Sequence, residues 1–164
     1  ILGGGFSGQH IARLGRSLGA NIICSRRKPE SPGADCIFDS SEDILPSHHV
    51  LKGVTHLLSC IPPNANGEDP VLQSLRTQLK TMPLKWVGYL STTGIYGDCK
   101  GKWAKEADLP NPKQPRSLRR LACEKAWQMS GLPVQIMRLP GIYGPGRSVL
   151  ENIKKSQARN KWDI

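Results

Sequence analysis

The chain begins with an apolar pair that runs directly into a glycine-rich turn, ILGGGFSG over residues 1–8. Within this turn, Gly3, Gly5 and Gly8 have the spacing G-x-G-x-x-G, and a helical apolar pattern over 7–18 follows. After a strand, the first glycine permits a tight turn, the second lets the backbone approach a phosphate, and the third allows close helix–strand packing. The spacing predicts a dinucleotide-binding turn, although a glycine-rich turn can also be only a turn.

The helix after the glycines supplies the second half of this predicted site. Ile11, Leu14 and Leu18 recur at helical spacing and predict an amphipathic helix. The free N–H groups and the dipole at the start of such a helix favour an anion. We therefore expect the pyrophosphate of a dinucleotide to lie against the turn at Phe6 and Ser7.

Strand and helix patterns alternate along the remaining chain, which predicts βαβ units and therefore an α/β doubly wound parallel sheet, a Rossmann fold. Asp69-Pro70 is a strong helix start, an N-cap acceptor followed by proline in the first turn. We predict a coenzyme-binding domain over 1–146 and the start of a truncated substrate lobe over 147–164. The patterns predict strands over 21–24, 35–38, 54–61, 84–90 and 134–137 and further helices over 117–129 and 148–158.

Composition excludes several classes of function for this 164-residue chain. Its 23 Lys and Arg against 13 Asp and Glu give a net charge of +10, but only 5% of residues are aromatic, so no stacking platform for nucleic acid is expected. The five cysteines form no C-x-x-C pair, and no metal site is predicted. We expect a soluble protein of the cytoplasm or an organelle stroma, without nucleic-acid or membrane partners.

The end of the second strand indicates which coenzyme is bound. An NAD site usually places a carboxylate about 20 residues after the glycines, against the ribose 2′-hydroxyl. Here the strand ends in Ser25, Arg26 and Arg27 instead. Guanidinium groups suit a 2′-phosphate, so these residues favour NADP over NAD. The alternative is a solvated basic turn.

Two later motifs carry a resemblance to a known family. STTGIYGD over 91–98 and RLPGIYGPG over 138–146 follow the glycine-rich turn in an order that resembles the NAD-dependent epimerase/dehydratase family, among the atypical extended short-chain dehydrogenase/reductases. The chain resembles their N-terminal coenzyme-binding portion. The resemblance implies that Thr92 hydrogen-bonds the reacting substrate oxygen and that Asp39 contacts adenine. It also implies that the coenzyme is lined by Cys60, Ile61 and Pro62 and, at the nicotinamide, by Leu139, Pro140 and Gly141.

The departures from the family matter as much as the matches. The family's Tyr-x-x-x-Lys pair is replaced by Arg116 and Arg120, and arginine is a poor proton carrier. Arg120 can keep the electrostatic role of the lysine, and Tyr96 is the candidate for an improvised acid. Thr93 and Gly94 stand where sugar-nucleotide 4,6-dehydratases carry an acid pair, which excludes that chemistry.

Two hypotheses therefore remain from the sequence. In the first, the protein is an NADP-dependent oxidoreductase or epimerase-like enzyme that transfers hydride to or from a small, nucleotide-sugar-like carbonyl or hydroxyl compound. In the second, it is an NADP-binding sensor or scaffold with weak turnover. The resemblance also implies a possible homodimer built from paired helices.

Overall fold

The computed structural model describes residues 1–148 and 153 and shows a parallel sheet with helices packed on it. The predicted helix over 148–158 and the predicted second domain over 147–164 fall almost entirely outside these residues. We call residues 1–4 the N-terminal segment. The strands are β1 (Ser25–Arg26), β2 (Cys36–Ile37), β3 (His56–Ser59), β4 (Trp86–Thr92) and β5 (Val134–Leu139); the helices are α1 (Phe6–Ser17), α2 (His48–Leu51), α3 (Pro70–Thr81) and α4 (Pro115–Gln128), with a 3₁₀ turn at Thr93–Tyr96.

The N-terminal segment joins the two parts of the sheet. Strand β1 pairs with β2, and β3, β4 and β5 pair in that order, all in parallel. Leu2 exchanges hydrogen bonds with Leu58 and Cys60 on one side, while the N–H of Gly4 donates to the carbonyl of Ser25 on the other. The order is therefore β2, β1, N-terminal segment, β3, β4, β5, which confirms the predicted doubly wound fold.

Helix α1 forms where predicted, but it does not bury the predicted face. Ile11, Leu14 and Leu18 are 40%, 63% and 78% exposed, whereas Gly8 and Ala12 are buried. The helix approaches the sheet closely through its small residues, so the larger apolar residues lie beyond the contact. The spacing of these apolar residues therefore predicted the helix correctly, but the face that they form is not the buried one.

The core lies between the sheet and helices α3 and α4. Strand β4 contributes Val87 and Tyr89, and the ring of Tyr89 lies 5.9 Å from that of Trp127 in α4. Leu75 and Leu79 of α3 are fully buried in the same cluster. Because α3 and α4 are held by this core, the residues at their N-terminal ends have fixed positions. No helix within the described residues is long and apolar enough to cross a membrane.

Asp69 connects α3 to α4, as well as capping α3 as the sequence predicted. Its carboxylate accepts from the N–H groups of Val71 and Leu72 at 3.0 Å and from the indole N–H of Trp127 at 2.9 Å. Burial raises the pKa of Asp69, and these hydrogen bonds oppose the shift. One buried side chain therefore satisfies donors of two helices.

We expect Asp69→Ala to destabilise the chain by about 2–4 kcal/mol, because it removes a helix cap and leaves a buried indole N–H without an acceptor. Urea denaturation of the variant measures this loss. The Oγ of Ser47 accepts from the N–H of Val50 at 3.4 Å and caps the short helix α2. Ser47→Ala removes this cap and should lower the free energy of unfolding by less than about 1 kcal/mol. Equal losses in the two variants contradict the assigned role of the buried carboxylate.

Candidate functional site

The glycine-rich turn has the geometry that its spacing predicted. Gly3 has φ of +94°, and a Cβ atom there would lie 2.8 Å from the side chain of Ile61. A Cβ atom on Gly8 would collide with the carbonyl oxygen of Gly3, so α1 can approach the turn only without a side chain at that position. Gly5 is different, because a Cβ atom there would project into open space. That space is where a ligand can meet the backbone.

The start of α1 faces the same open space. Gly5 is the N-cap residue and provides no side-chain hydrogen bond to the first turn. The N–H groups of Phe6 and Ser7 belong to this first turn and accordingly lack intrahelical acceptors. Together with the helix dipole, they form a site suited to a phosphate group.

A cleft of about 550 Å³ extends from this turn across the carboxyl ends of the strands. Its position matches the general location of ligand sites in open α/β sheets. Eleven predicted site residues lie together in its lining: Gly3, Gly5, Phe6, Ser7, Gly8, Cys60, Thr92, Arg120, Leu139, Pro140 and Gly141. The structure therefore brings the glycine turn, the end of β4 and the segment after β5 together at one cleft.

Thr92, at the end of β4, is held so that its hydroxyl can act as a donor. The N–H of Gly94 donates to Thr92 Oγ1 at 3.1 Å, because Thr92 caps the following 3₁₀ turn. This bond uses an acceptor site and leaves the hydroxyl proton available to an oxygen in the cleft. The neighbouring Ser91 hydroxyl is buried without a partner among the described residues and belongs to the same lining.

Arg120 is fixed at the floor of the cleft by three acceptors. Its Nη1 donates to the carbonyl of Leu90 at 2.8 Å, to the hydroxyl of Tyr89 at 3.0 Å and to the carbonyl of Ile61 at 3.4 Å. The guanidinium carbon lies 5.6 Å from the centre of the Tyr89 ring. Burial raises the pKa of Tyr89, which therefore stays a neutral acceptor for this arginine. The positive charge consequently has a defined position at the ends of β3 and β4.

The geometry does not place Tyr96 where an acid would be needed. Its ring is buried, it is absent from the cleft lining, and its hydroxyl accepts from Arg138 Nη1 at 2.8 Å. Arg138 also binds the buried carboxylate of Glu124 at 2.9 Å and the carbonyl of Glu106 at 3.2 Å. The bonds to Glu124 and Tyr96 raise the pKa of the Arg138 guanidinium, with Glu124 as the main cause. Tyr96 thus belongs to a structural cluster beside the cleft.

Six other predicted coenzyme residues also lie outside the cleft lining. Ser25 is buried and accepts from the N–H of Gly3 at 3.1 Å, so it supports the turn. Asp39 accepts from the N–H of Ser41 at 3.0 Å and from its hydroxyl, and these bonds lower the pKa of Asp39. The remaining four are Arg26, Arg27, Ile61 and Pro62.

Cys60 is the predicted residue whose chemistry the structure limits most clearly. Burial raises the pKa of its thiol to about 12. The thiol is therefore protonated at neutral pH and is not a nucleophile. Cys60 therefore contributes to the shape of the cleft and not to its reactivity.

The structure adds lining residues that the sequence did not identify. Gln114 and Ser117 come from the start of α4, where a helix start near 117 was predicted but not its orientation toward the cleft. Arg147 lies with its guanidinium carbon 5.5 Å from the centre of the Phe6 ring. No local pattern could have assigned these residues, because their contacts join distant parts of the chain.

A second cleft of about 620 Å³ lies at the opposite ends of the strands. Its lining is mostly apolar, with Ile11, Val50 and Trp86 among its members, and it includes none of the predicted site residues. Within residues 1–148 and 153, no group of three or more His, Cys, Asp or Glu could hold a metal ion. The cleft at the carboxyl ends is therefore the candidate site.

Comparisons with known proteins agree with this geometry. No family model matches the chain, and a search of curated proteins finds none that is significantly similar. Among solved structures, a conserved protein of unknown function from Silicibacter pomeroyi is 34% identical with a TM-score of 0.75, over 92% of this chain and 55% of that one. A protein provisionally assigned as an NAD-dependent epimerase/dehydratase from Methylobacillus flagellatus is 26% identical with a TM-score of 0.72, over 99% and 60%.

A third structure extends the likeness to a named enzyme. UDP-glucuronic acid 4-epimerase from Bacillus cereus, in complex with NAD, has a TM-score of 0.69 at 19% identity, over 87% of this chain and 56% of that one. The chain has the fold of the NAD-dependent epimerase/dehydratase family. It spans between 55% and 60% of the length of these three structures.

Within this epimerase/dehydratase fold, one departure stands in the cleft itself. Arg116 and Arg120 both line it, from the first turn of α4 and the next turn. The resemblance to this family leads us to expect a tyrosine and a lysine at these positions, and here two arginines line the ligand space.

Proposed function

We propose that the chain is the coenzyme-binding part of an NADP(H)-dependent oxidoreductase or epimerase-like enzyme, acting on a small molecule with a carbonyl or hydroxyl group. The observation that carries the proposal is the single cleft that joins the open side of Gly5 to the hydroxyl of Thr92. A dinucleotide needs a phosphate site at one end and a reacting group at the other. This cleft offers both.

The glycine turn is the first feature that supports a nicotinamide coenzyme. The uncapped first turn of α1 and the open space at Gly5 suit a pyrophosphate, and Arg147 adds a cation beside Phe6. The segment Leu139–Gly141 also lines the cleft, and two structural neighbours are named as NAD complexes. These features support a dinucleotide whose nicotinamide ring lies toward Thr92.

The choice of NADP rests on the end of β1. Arg26 and Arg27 follow Ser25, and neither guanidinium has a hydrogen bond or an ion pair with another described residue. No carboxylate stands beside them in the sequence to accept from a ribose hydroxyl. Arg27 interacts electrostatically with the carboxylate of Asp39, and neither guanidinium is held in a salt bridge, so both favour a 2′-phosphate at this edge.

We expect the chain to bind NADPH about 10- to 100-fold more tightly than NADH, because a charge-assisted contact to the 2′-phosphate contributes about 1.5–3 kcal/mol. Arg26→Glu should abolish this preference, since a carboxylate repels the phosphate and accepts from a 2′-hydroxyl. Titration of both coenzymes, followed by nicotinamide fluorescence and calorimetry, measures the difference. Lys28→Glu changes the charge equally two residues away and should retain the preference.

Equal affinity of the unmodified chain for NADPH and NADH would contradict the preference for NADP. It would not contradict the proposed dinucleotide site. Failure to bind either coenzyme, in a chain that folds, would overturn the whole proposal. The two results are separate because the glycine turn and the β1 edge contact different parts of the molecule.

The residues near the proposed position of the nicotinamide ring support hydride transfer to a carbonyl group. The coenzyme, when bound, supplies or accepts the hydride. Thr92 can donate its hydroxyl proton in a hydrogen bond to the substrate oxygen, since Gly94 already occupies an acceptor site of that hydroxyl. Arg120 places a fixed positive charge at the adjacent strand ends, which stabilises negative charge developing there.

A second candidate function is an NADP(H)-binding sensor or scaffold with little turnover. The observation that favours it is the lack of a tyrosine in the cleft lining, with the Tyr96 hydroxyl bound to Arg138. A positioned proton carrier typically contributes 10²- to 10⁴-fold in rate, so its loss slows the reaction strongly. NADPH oxidation over a panel of carbonyl compounds separates the two candidates.

A further inference from the structure

Among the described residues, the cleft is lined by three cations and by no anion. Arg116, Arg120 and Arg147 are in the lining, to which residues 1–148 and 153 contribute no Asp or Glu. The ion pairs of the described residues are Arg16 with Asp35 and Arg138 with Glu124, so none of the three cleft arginines has a carboxylate partner there. Such a cleft has a positive potential that attracts anionic ligands.

The three arginines occupy different parts of the cleft. Arg147 lies over Phe6 at the glycine turn, where a pyrophosphate is expected. Arg120 is committed to acceptors from Ile61, Tyr89 and Leu90.

Arg116 is the cation without a defined partner. It is exposed, and the described residues offer its guanidinium no hydrogen bond, ion pair or ring contact. Arg116 and Arg120 are four residues apart on α4 and therefore share a helix face. Their common face is the one toward the cleft.

The position of Arg116 in its helix is unfavourable without a ligand. It stands in the first turn of α4, where a cation opposes the helix dipole, and the N-cap Gln114 forms no side-chain cap. An anion beside this turn would satisfy the guanidinium and the helix start together. In the same lining, Ser91 is 6% exposed, and its buried hydroxyl has no partner among the described residues.

We propose that Arg116 binds an anionic group of the substrate, a carboxylate or a phosphate, next to the oxygen that Thr92 holds. This inference rests on the proposed function and names its substrate class, an acidic carbonyl or hydroxyl compound. The coenzyme does not use this arginine, because its phosphates are assigned to the glycine turn and to the β1 edge. Arg116 thus anchors the substrate, and its forked donors match either kind of anion.

The test uses the 164-residue chain saturated with NADPH. Malonate and inorganic phosphate are titrated separately at constant ionic strength, followed by the fluorescence of bound NADPH and by calorimetry. We expect one of the two probes to bind, and Arg116→Gln to weaken it by about tenfold or more. Arg116→Lys should restore part of the affinity. The stronger probe identifies the carboxylate or the phosphate source.

Arg119→Gln is the matched control, because it removes the same charge from the same helix outside the cleft lining. It should leave the affinity for the probe within about twofold, since Arg119 is half-buried outside the cleft lining and salt screens its charge from the probe. The inference is overturned by equal losses in the two variants, by an absence of probe binding to the NADPH complex, or by displacement of NADPH by the probe. Failure of NADPH itself to bind overturns the proposed function instead.

Discussion

Replacing Gly8 with alanine should lower the affinity for NADPH by about 10- to 100-fold. The added Cβ atom would collide with the carbonyl oxygen of Gly3, which is a backbone atom and cannot rotate away. Either α1 or the turn must move, and overpacking of this kind costs about 1–3 kcal/mol. The displaced atoms are those that we propose to contact the pyrophosphate. Coenzyme titration measures the loss, and urea denaturation measures any accompanying change in stability.

Gly15→Ala is the matched control in the same helix. Its Cβ atom meets the Cδ1 atom of Ile22, the far end of a flexible side chain that can rotate. The substitution should change coenzyme affinity by less than about twofold, and alanine favours the helix over glycine by up to about 1 kcal/mol. If both variants lose affinity equally, the close approach of Gly8 to Gly3 is not what positions the phosphate site.

The second large effect is expected at the ion pair beside the cleft. Glu124→Ala leaves Arg138 without its carboxylate, although Tyr96 and Glu106 still accept from it. Breaking a buried pair costs about 3–5 kcal/mol, and the 18% exposure of the arginine side chain favours the lower end, about 3 kcal/mol. Because Arg138 directly precedes Leu139, the coenzyme affinity should fall as well. Thermal and urea denaturation measure the loss of stability.

Glu106→Ala provides the comparison for this experiment. Arg138 binds only the backbone carbonyl of Glu106, so shortening that side chain removes no contact to the cluster. Its free energy of unfolding should stay within about 0.5 kcal/mol of the unmodified chain. A loss of less than about 1 kcal/mol in Glu124→Ala would mean that the pair does not hold the end of β5.

Local chemistry explains what the sequence predicted well. The start of α3 is encoded by Asp69-Pro70, because the cap and the first-turn proline act on neighbouring residues. The glycine turn is similar, since the conformation of Gly3 is a local requirement. The order of motifs along the chain then placed Thr92 and the segment after β5 at the same cleft.

Long-range packing explains what the sequence did not predict. The second strand was expected over 21–24 but pairs at Ser25–Arg26, because its register is set by β2. The partner of Tyr96 lies 42 residues away, and nothing near the tyrosine indicates that Arg138 would occupy its hydroxyl. The sequence could therefore suggest Tyr96 as an acid, while only the packing shows the bond that occupies it.

The N-terminal segment has a consequence for the durability of the fold. It shares hydrogen bonds with both parts of the sheet and continues directly into the glycine turn. Pairing the N-terminal segment with strands that are distant in sequence is entropically costly. We therefore expect the sheet to open first at this segment. A dinucleotide held by the turn would bind only the closed form and would stabilise it in proportion to occupancy. The bound coenzyme would then hold the two parts of the sheet together, so that its concentration would govern the lifetime of the folded state as well as the chemistry.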